Sequence, residues 1–311
     1  MTDPRLILVL SENWTLTPPR DLRALVRMAV EAEDAGFDAV MLSEHVVLGL
    51  SADANGRMPN PREYALPGNQ EPRMPWPSSI VLLGAIAAAT TRLRLAAAAI
   101  IAPLRHPLLL AKDLATLDLL SEGRLVVLPT VSWHRDEYAA LGVPFERRGE
   151  LLDEHLAAWR LLWRDSPATF KGRHYRFDEV YLEPKPFRPE GPRLWFGGQT
   201  LHPRLLRRVV EHGHGFNPLG RPQPEELDRL ASAMREAGRD IRDLELVGGT
   251  RAVFPDGDSR APLEPALASI PEQQEQGFTS FCIKPSQFID DPREFAAWSR
   301  QVVRRVAALR S

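Results

Sequence analysis

Short apolar runs alternate with amphipathic stretches along almost the whole chain, and this alternation constrains the fold more than any other feature. Eight such pairs occur, which is the arrangement expected of parallel strands joined by helices. The predicted strands are Leu6–Leu10, Ala39–Leu42, Leu93–Ala99, Leu125–Leu128, Leu194–Gly197, Gly213–Asn217, Leu244–Val253 and Phe278–Ile283. Their number matches a closed eight-stranded barrel.

An open doubly wound sheet would use the same alternation, so local motifs have to separate the two folds. No GxGxxG follows the first strand and no GxxxxGK[ST] occurs in the sequence, although open nucleotide-binding sheets commonly carry one of them. The sequence therefore predicts an α/β fold of the (β/α)8 TIM-barrel class. Because no composition shift marks a boundary, residues 1–311 are expected to form a single domain.

Two stretches are much longer than an ordinary connection between a strand and a helix. Val46–Pro77 follows the second strand and contains six prolines, which prevent it from becoming a helix. Asp165–Pro192 precedes the fifth strand, and its alternating residues around Phe170 and Phe177 predict a small hairpin. Both are predicted to be insertions in the barrel, either as an active-site cover or as a dimer arm.

Charge and cysteine content exclude several classes of function. The formal net charge of −2 provides no basic field for nucleic acid or an anionic membrane, so neither is expected as a partner. No apolar run approaches the roughly 20 residues of a membrane span, and no cleavage pattern follows the N-terminus. The single Cys282 cannot form an internal disulfide, which favours a cytoplasmic protein.

His45 is the strongest candidate for chemistry, because active sites of such barrels lie at the carboxyl ends of the strands. It closes the segment Ser43-Glu44-His45 directly after the second predicted strand. An imidazole there can exchange a proton near neutral pH, which hydride transfer to or from a carbonyl needs as a partner step. A histidine at a strand exit can equally be a structural hydrogen-bonding group. No His and Cys cluster has the spacing of metal ligands, so no metal is predicted.

Ser43-Glu44-His45 resembles the Asp/Ser-Glu-His pattern of the bacterial-luciferase-like oxidoreductases. The resemblance spans nearly the whole chain, and its most specific block is AKDLATLDLLSEGR at positions 111–124. It continues in AAAIIAPLRHP at 97–107, WHRDEY at 133–138 and LWFGGQT at 194–200. The sequence is most similar to the actinobacterial branch that uses the deazaflavin coenzyme F420.

The resemblance implies positions for a cofactor. It implies a cis peptide bond at Ala98–Ala99, behind the flavin ring, and a phosphate site at the fifth-strand exit formed by Gly197, Gly198, Gln199 and Thr200. The fourth-strand exit departs from the family, because the usual glycine-rich segment is replaced by Leu128-Pro129-Thr130-Val131-Ser132-Trp133. Thr130 and Ser132 could replace backbone contacts to the cofactor with hydroxyl contacts. Val131 stands where luciferase-type enzymes tend to place an arginine, which favours deazaflavin over FMN.

The resemblance thus implies an oxidoreductase that passes a hydride between F420 and a small organic substrate. His45 would donate or accept the proton, Glu44 would orient it, and Trp14 and Trp133 would wall the substrate pocket. One alternative is a reduced-FMN-dependent monooxygenase of the same family, which would need a flavin reductase as partner. Another is a flavin-binding barrel without turnover. Family habit implies a homodimer, and the substrate is not predicted.

Overall fold

Eight parallel strands close into a barrel in the computed structural model, which describes residues 3–309. The barrel strands are β1 (Arg5–Val9), β2 (Ala39–Leu42), β3 (Arg94–Ile101), β4 (Leu125–Thr130), β7 (Arg193–Phe196), β8 (Gly215–Phe216), β9 (Glu245–Gly249) and β10 (Ser280–Ile283). Around the barrel the order is β1, β10, β9, β8, β7, β4, β3 and β2, and β2 pairs with β1 to close it. The predicted (β/α)8 TIM barrel is confirmed.

The strands are apolar on both faces because one face lines the barrel and the other packs against helices. Ile7 and Val9 of β1 belong to the inner cluster, together with Met41 and Trp195. Leu8, between them, belongs to the cluster shared with the helices. The period of two residues along each strand therefore divides the core into an inner and an outer layer.

Ten helices form the outer layer of the described chain and its connections. The first begins after Asp21, whose carboxylate accepts from the Ala24 N–H, and ends at Gly36 in the left-handed conformation that glycine favours. The helices are α1 (Leu22–Ala35), α2 (Ser79–Ala89), α3 (Pro107–Leu120), α4 (Arg135–Ala140), α5 (Arg148–Arg164), α6 (Pro203–His212), α7 (Pro224–Glu236), α8 (Leu263–Leu267), α9 (Ile270–Glu275) and α10 (Phe295–Ala308). No helix within residues 3–309 is long and apolar enough to cross a membrane.

The predicted strand boundaries hold to within a few residues, with one larger difference. The predicted strand Leu244–Val253 ends at Gly249, because the chain turns there and the N–H of Thr250 donates to the Cys282 carbonyl. Residues 250–257 instead form an exposed or half-buried loop at the barrel rim.

Both predicted insertions are present. Residues 46–77 form an irregular excursion whose regular element is the short 3-10 helix Leu50–Asp53. The second insertion contains the antiparallel hairpin of β5 (Ala168–Lys171) and β6 (Arg176–Val180), as the alternating aromatic residues predicted.

A buried polar cluster lies at the amino-terminal face of the barrel, where Arg5, Arg94, Glu245 and Ser280 are each the first residue of a strand. Arg94 donates to both carboxylate oxygens of Glu245 at 2.8 and 2.9 Å, and Ser280 donates at 2.5 Å. Burial raises the pKa of Glu245, but the hydrogen bonds and charge of Arg94 outweigh it, so that pKa lies below its ordinary value. These hydrogen bonds join the first residues of β3, β9 and β10 at this end of the barrel.

Candidate active site

His45 lies at the opposite, carboxyl-terminal face, three residues after β2, with only 8% of its surface exposed. Its Nδ1 is 3.2 Å from Oε2 of Glu137, and its Nε2 is 3.3 Å from Nε2 of Gln70. A carboxylate can only accept a hydrogen bond, so the Nδ1–H of neutral His45 donates to Glu137. Nε2 is then the acceptor and takes a hydrogen bond from the Gln70 amide.

The chain of hydrogen bonds continues on both sides of His45. Oε1 of Gln70 accepts from the indole N–H of Trp76 at 3.2 Å, which fixes the orientation of the Gln70 amide. On the other side, Oε1 of Glu137 accepts from the backbone N–H of Val46. Glu137 has no exposed surface, and its two oxygens therefore hold both the ring and the backbone next to His45.

Aromatic rings surround the imidazole. Trp76 and Trp133 meet His45 edge to face, with ring centroids 5.3 and 5.8 Å away, and His134 lies at 6.1 Å. His134 is fully buried, and burial lowers its pKa below the ordinary value. Its Nε2 accepts from the Gly49 N–H at 2.7 Å, so this ring supports the insertion. The predicted wall residue Trp133 is thus brought to His45.

Glu44 faces away from this network. Its carboxylate accepts two hydrogen bonds from Arg105, at 2.7 and 3.0 Å, and others from Ser79 and from the backbone N–H of Ile101. Glu44 was expected to orient His45, whereas the carboxylate that contacts His45 is that of Glu137. Glu44 instead ties the β2 exit to the end of β3.

The exits of β3 and β4 carry the residues expected to face a cofactor ring. The peptide bond between Ala98 and Ala99 is cis, as the resemblance implied, and the pairing of β3 with β4 shifts between Ala98 and Ile100. Ala99 is half-buried at this shift. Beyond β4, Ser132 has a φ of 57°, a conformation that glycine adopts more readily than other residues. Thr130, the last residue of β4, is half-buried.

The exit of β7 only partly resembles a phosphate site. Gly197 passes so close to β8 that a Cβ would lie 2.0 Å from the Asn217 carbonyl oxygen, so chain packing alone requires glycine there. Gln199 and Thr200 are exposed before α6. The start of α6 is already capped, because Nδ1 of His202 accepts from the Leu205 N–H at 3.3 Å. A phosphate here would rely on the glycine loop more than on the helix end.

Several polar atoms on or next to the barrel strands have no partner within residues 3–309. They are the indole N–H groups of Trp14 and Trp195 and the hydroxyl of Thr15, all of them buried. Buried donors are normally satisfied, and such exceptions call for an explanation. Trp195 lies beside Arg94 and Gly215 at the amino-terminal face, so only Trp14 and Thr15, which follow β1, lie at the same face of the barrel as the β3 exit. Trp14, a predicted wall residue, lies at the β1 exit and is half-buried.

Three members of the His45 network were not predicted as site residues: Glu137, Gln70 and Trp76. Glu137 lies 92 positions from His45 in the sequence and Gln70 lies 25 positions away. Glu137 had one usable signal, because it stands in the first turn of the helix that follows the β4 exit, where functional side chains of barrels gather. Gln70 and Trp76 lie in the irregular insertion, whose path no periodic pattern predicts.

The chain is similar in sequence to several known proteins. An uncharacterized protein of Mycobacterium tuberculosis is 37% identical over 216 residues, which cover 67% of this chain and 73% of that protein. The FMNH2-dependent dimethylsulfone monooxygenase of Pseudomonas putida is 29% identical over 194 residues, covering 61% of this chain and 47% of that enzyme.

Among solved structures, an F420-dependent secondary alcohol dehydrogenase in complex with an F420–acetone adduct superimposes with a TM-score of 0.72. It has 18% identity and covers 98% of this chain and 99% of that one, which supports the fold. The sequence profile of the luciferase-like monooxygenases matches residues 5–302. The chain therefore belongs to the luciferase-like monooxygenase family.

Proposed function

We propose that this chain is a coenzyme F420-dependent oxidoreductase that transfers a hydride between the deazaflavin and a small organic substrate. The observation that carries the proposal is the buried His45 at the barrel mouth, whose Nδ1 faces a buried carboxylate and whose Nε2 is an acceptor. Such a pairing is the arrangement of a general acid or base with its orienting group.

The bound coenzyme supplies or accepts the hydride. Ala98 and Ala99 present small side chains against which a planar ring can pack, and the hydroxyls of Thr130 and Ser132 can reach its polar edge. The loop Gly197–Thr200 would hold its phosphate. Val131 at the β4 exit brings no cation for a flavin phosphate, which supports F420 over FMN.

His45 accepts the substrate proton at Nε2 in the oxidation direction and returns it in the reverse direction. The carboxylate of Glu137, at Nδ1, stabilises the imidazolium that forms and fixes the tautomer in which Nε2 is free of hydrogen. Glu137 is therefore a positioning residue. Gln70 occupies Nε2 in the structure, and a substrate hydroxyl would take over that hydrogen bond.

Trp76 and Trp133 flank His45 and keep bulk water from the imidazole. Water exclusion strengthens the interaction between His45 and Glu137 and protects a reduced coenzyme from side reactions. The insertion at 46–77 supplies both Gln70 and Trp76 and thus serves as the active-site cover. A homodimer, implied by family resemblance, stays a prediction that analytical ultracentrifugation would test.

A reduced-FMN-dependent monooxygenase is the second candidate, favoured by the similarity to the dimethylsulfone monooxygenase. It would use the same cavity and a partner flavin reductase. Titration of the purified protein with oxidised F420 and, separately, with FMN distinguishes the two by quenching of coenzyme fluorescence. Saturable binding of F420 at least roughly tenfold tighter than FMN, a difference of about 1.4 kcal/mol, is expected. Saturation by FMN alone would favour the monooxygenase.

A further inference from the structure

The cover, which is the insertion at 46–77, is attached at its start to the beginning of α4. Backbone N–H groups of the cover donate to side chains there, and the pairs are Val46 and Val47 with Glu137, Gly49 with His134 and Ser51 with Asp136. The two segments are so close that a Cβ at Gly49 would lie 2.3 Å from Oδ2 of Asp136. Gly49 has a φ of −102°, which any residue adopts, so the close approach alone requires glycine there.

His134 is the acceptor among these side chains whose charge can change close to neutral pH. Its Nε2 lies 2.7 Å from the Gly49 nitrogen, and a backbone N–H can only donate, so the hydrogen of the neutral ring is on Nδ1. His134 is fully buried, and its Nδ1 has no partner within residues 3–309. If Nε2 takes up a proton, two N–H donors face each other. The hydrogen bond to Gly49 therefore exists only while His134 is neutral.

The 3-10 helix Leu50–Asp53 connects this hydrogen bond to Gln70. It begins directly after the residue that His134 holds, and its Ala52 is fully buried. The Ala52 carbonyl accepts from the backbone N–H of Gln70 at 2.9 Å. The side chain of Gln70 in turn donates to Nε2 of His45 at 3.3 Å. A continuous path of hydrogen bonds and one helical turn thus runs from His134 through the cover to His45.

We propose that His134 is a positioning residue of the active site: it keeps Gln70 on Nε2 of His45, and proton uptake by His134 releases Gln70 from that nitrogen. The proposal rests on the proposed function only for the role of His45, and it does not depend on which coenzyme binds. Because a substrate hydroxyl has to replace Gln70 at Nε2, release of Gln70 opens that nitrogen to the substrate.

The release is expected on the acid side of neutrality. Burial lowers the pKa of His134 below its ordinary 6.5, and His45 at the β2 exit acts in the same direction, whereas Asp136 and Glu137 of α4 oppose it. The cover meets the ring with the uncharged N–H of Gly49. A histidine that is neutral in the closed cover stabilises it fully above pH 6.5, and this stabilisation is lost as the pH falls toward the lowered pKa.

Hydrogen exchange of the coenzyme-free protein reads the cover without any need for turnover. Mass spectrometry of peptides that cover residues 46–53 and 66–74 reports on the amides of Gly49 and Gln70. After correction for intrinsic exchange rates, their protection in the parent should fall by up to about tenfold for each pH unit below about 6.5.

Two variants and one control separate His134 from other titrating groups. His134→Gln brings an amide oxygen to the region of Nε2 and does not titrate, so it should keep the protection and lose most of the pH dependence. Any remaining dependence measures His45, which also titrates beside Gln70. His134→Phe lacks the acceptor and should exchange about tenfold faster even at neutral pH, because a buried N–H without a partner is costly. His106→Gln, the same substitution at an exposed histidine, should behave like the parent.

Carbethoxylation of His45 by diethyl pyrocarbonate at about pH 7.5, where its imidazole is largely neutral, tests whether His134 acts through Gln70. His134→Phe and Gln70→Ala should each accelerate the modification of His45 by about three- to tenfold, the effect of one hydrogen bond. The double variant should react little faster than Gln70→Ala, because substitutions along one path are not additive.

Parent protection that does not change below pH 6.5 would overturn the proposal, and so would two substitutions whose effects simply multiply in the double variant. The pH series on the parent and on His134→Gln keeps the test decisive even if His134→Phe does not fold. The outcome is also separable from the proposed function. A protein that binds neither F420 nor FMN, but releases its cover at acid pH in the parent and not in His134→Gln, would support the positioning role and reject the proposed chemistry.

Discussion

The two faces of the barrel both carry buried carboxylates, but they use them differently. At the amino-terminal face, both oxygens of Glu245 are occupied by Arg94, with Ser280 as a further donor. At the carboxyl-terminal face, Glu137 holds an imidazole whose second nitrogen is an acceptor, and Gln287 Oε1 and Trp14 Nε1 have no partner within residues 3–309.

The difference separates a face whose polar groups stabilise the fold from a face whose polar groups can take part in function. Groups that satisfy one another, as Arg94 and Glu245 do, leave nothing for a ligand, whereas His45 keeps an acceptor nitrogen at the opposite face. Unpartnered buried atoms and positive φ values do not follow the same division, because Trp195 Nε1 lies beside Arg94 and Glu122, which precedes β4, has a φ of 52°.

The largest expected effect comes from removing the proton-transfer group at the carboxyl-terminal face. His45→Ala should lower the rate of F420 reduction by an organic substrate by roughly 10²–10⁴-fold, the usual contribution of a general acid or base. F420 binding should change little. Loss of the visible absorbance of F420 monitors the rate, and fluorescence titration monitors binding. A rate within about threefold of the parent would remove His45 from the mechanism.

Breaking the ion pair at the other face should cost stability and leave the coenzyme site intact. Arg94→Met leaves the buried Glu245 carboxylate without its main partner, and such losses cost about 3–5 kcal/mol. Urea unfolding measures this loss. Arg5→Met is the matched control, because Arg5 is 3.8 Å from Glu245 and its side chain is 40% exposed, so about 1 kcal/mol or less is expected. Equal losses in both variants would contradict the central role of Arg94.

Glu137→Gln tests the positioning of His45 with an isosteric change. If the amide oxygen keeps the hydrogen bond from Val46, the amide N–H points at Nδ1 and favours the opposite imidazole tautomer, whose Nε2 carries hydrogen. We expect turnover to fall by about 100-fold, with a shifted pH–rate profile.

The control for this variant is the same substitution at an exposed glutamate nearby. Glu146→Gln, which breaks an exposed pair with Arg135 close by, should leave both turnover and the pH–rate profile unchanged. A Glu137→Gln enzyme with the parent profile and rate would show that Glu137 is merely structural.

The smallest expected effect is on the pH dependence of stability. The native pKa of Glu245 lies below its ordinary 4.5, so its stabilisation is fully present above that value and is lost as pH falls through the native pKa. Glu33 behaves alike: burial raises its pKa, but backbone N–H groups of residues 91–93 outweigh burial and lower it. The urea concentration at the unfolding midpoint should therefore decrease as the pH is lowered below about 4.5. In Glu245→Gln the urea midpoint should decrease less with falling pH than in the parent. A decrease equal to that of the parent would exclude the Arg94–Glu245 pair as a source of the pH dependence.

The barrel could be predicted from sequence because its strands are short continuous apolar runs and its helices carry a period of 3.6 residues. Ile7 and Leu8 face the inner and outer core layers, and both are apolar because both layers are buried. The end of β9 at Gly249 was harder to predict, since apolar Ala252 and Val253 continue the apolar run beyond the turn.

The site was only half predictable for a physical reason. His45 follows from a short motif and its place after a strand, and the cis peptide Ala98–Ala99 follows from the family resemblance. The partners of His45 depend on how two distant loops pack, and nothing local distinguishes Glu137 from the half-buried Asp136 beside it. Glu44, adjacent in sequence, was the natural expectation, but strand geometry turns it toward Arg105.

A crystal structure of the protein with bound F420 would test the division of the two faces most directly. We expect the deazaflavin ring to pack against Ala98 and Ala99, in contact with His45, and the Arg94–Glu245 pair at the opposite face to be unchanged. A ring bound away from the carboxyl-terminal mouth, or one that does not contact His45, would contradict this expectation.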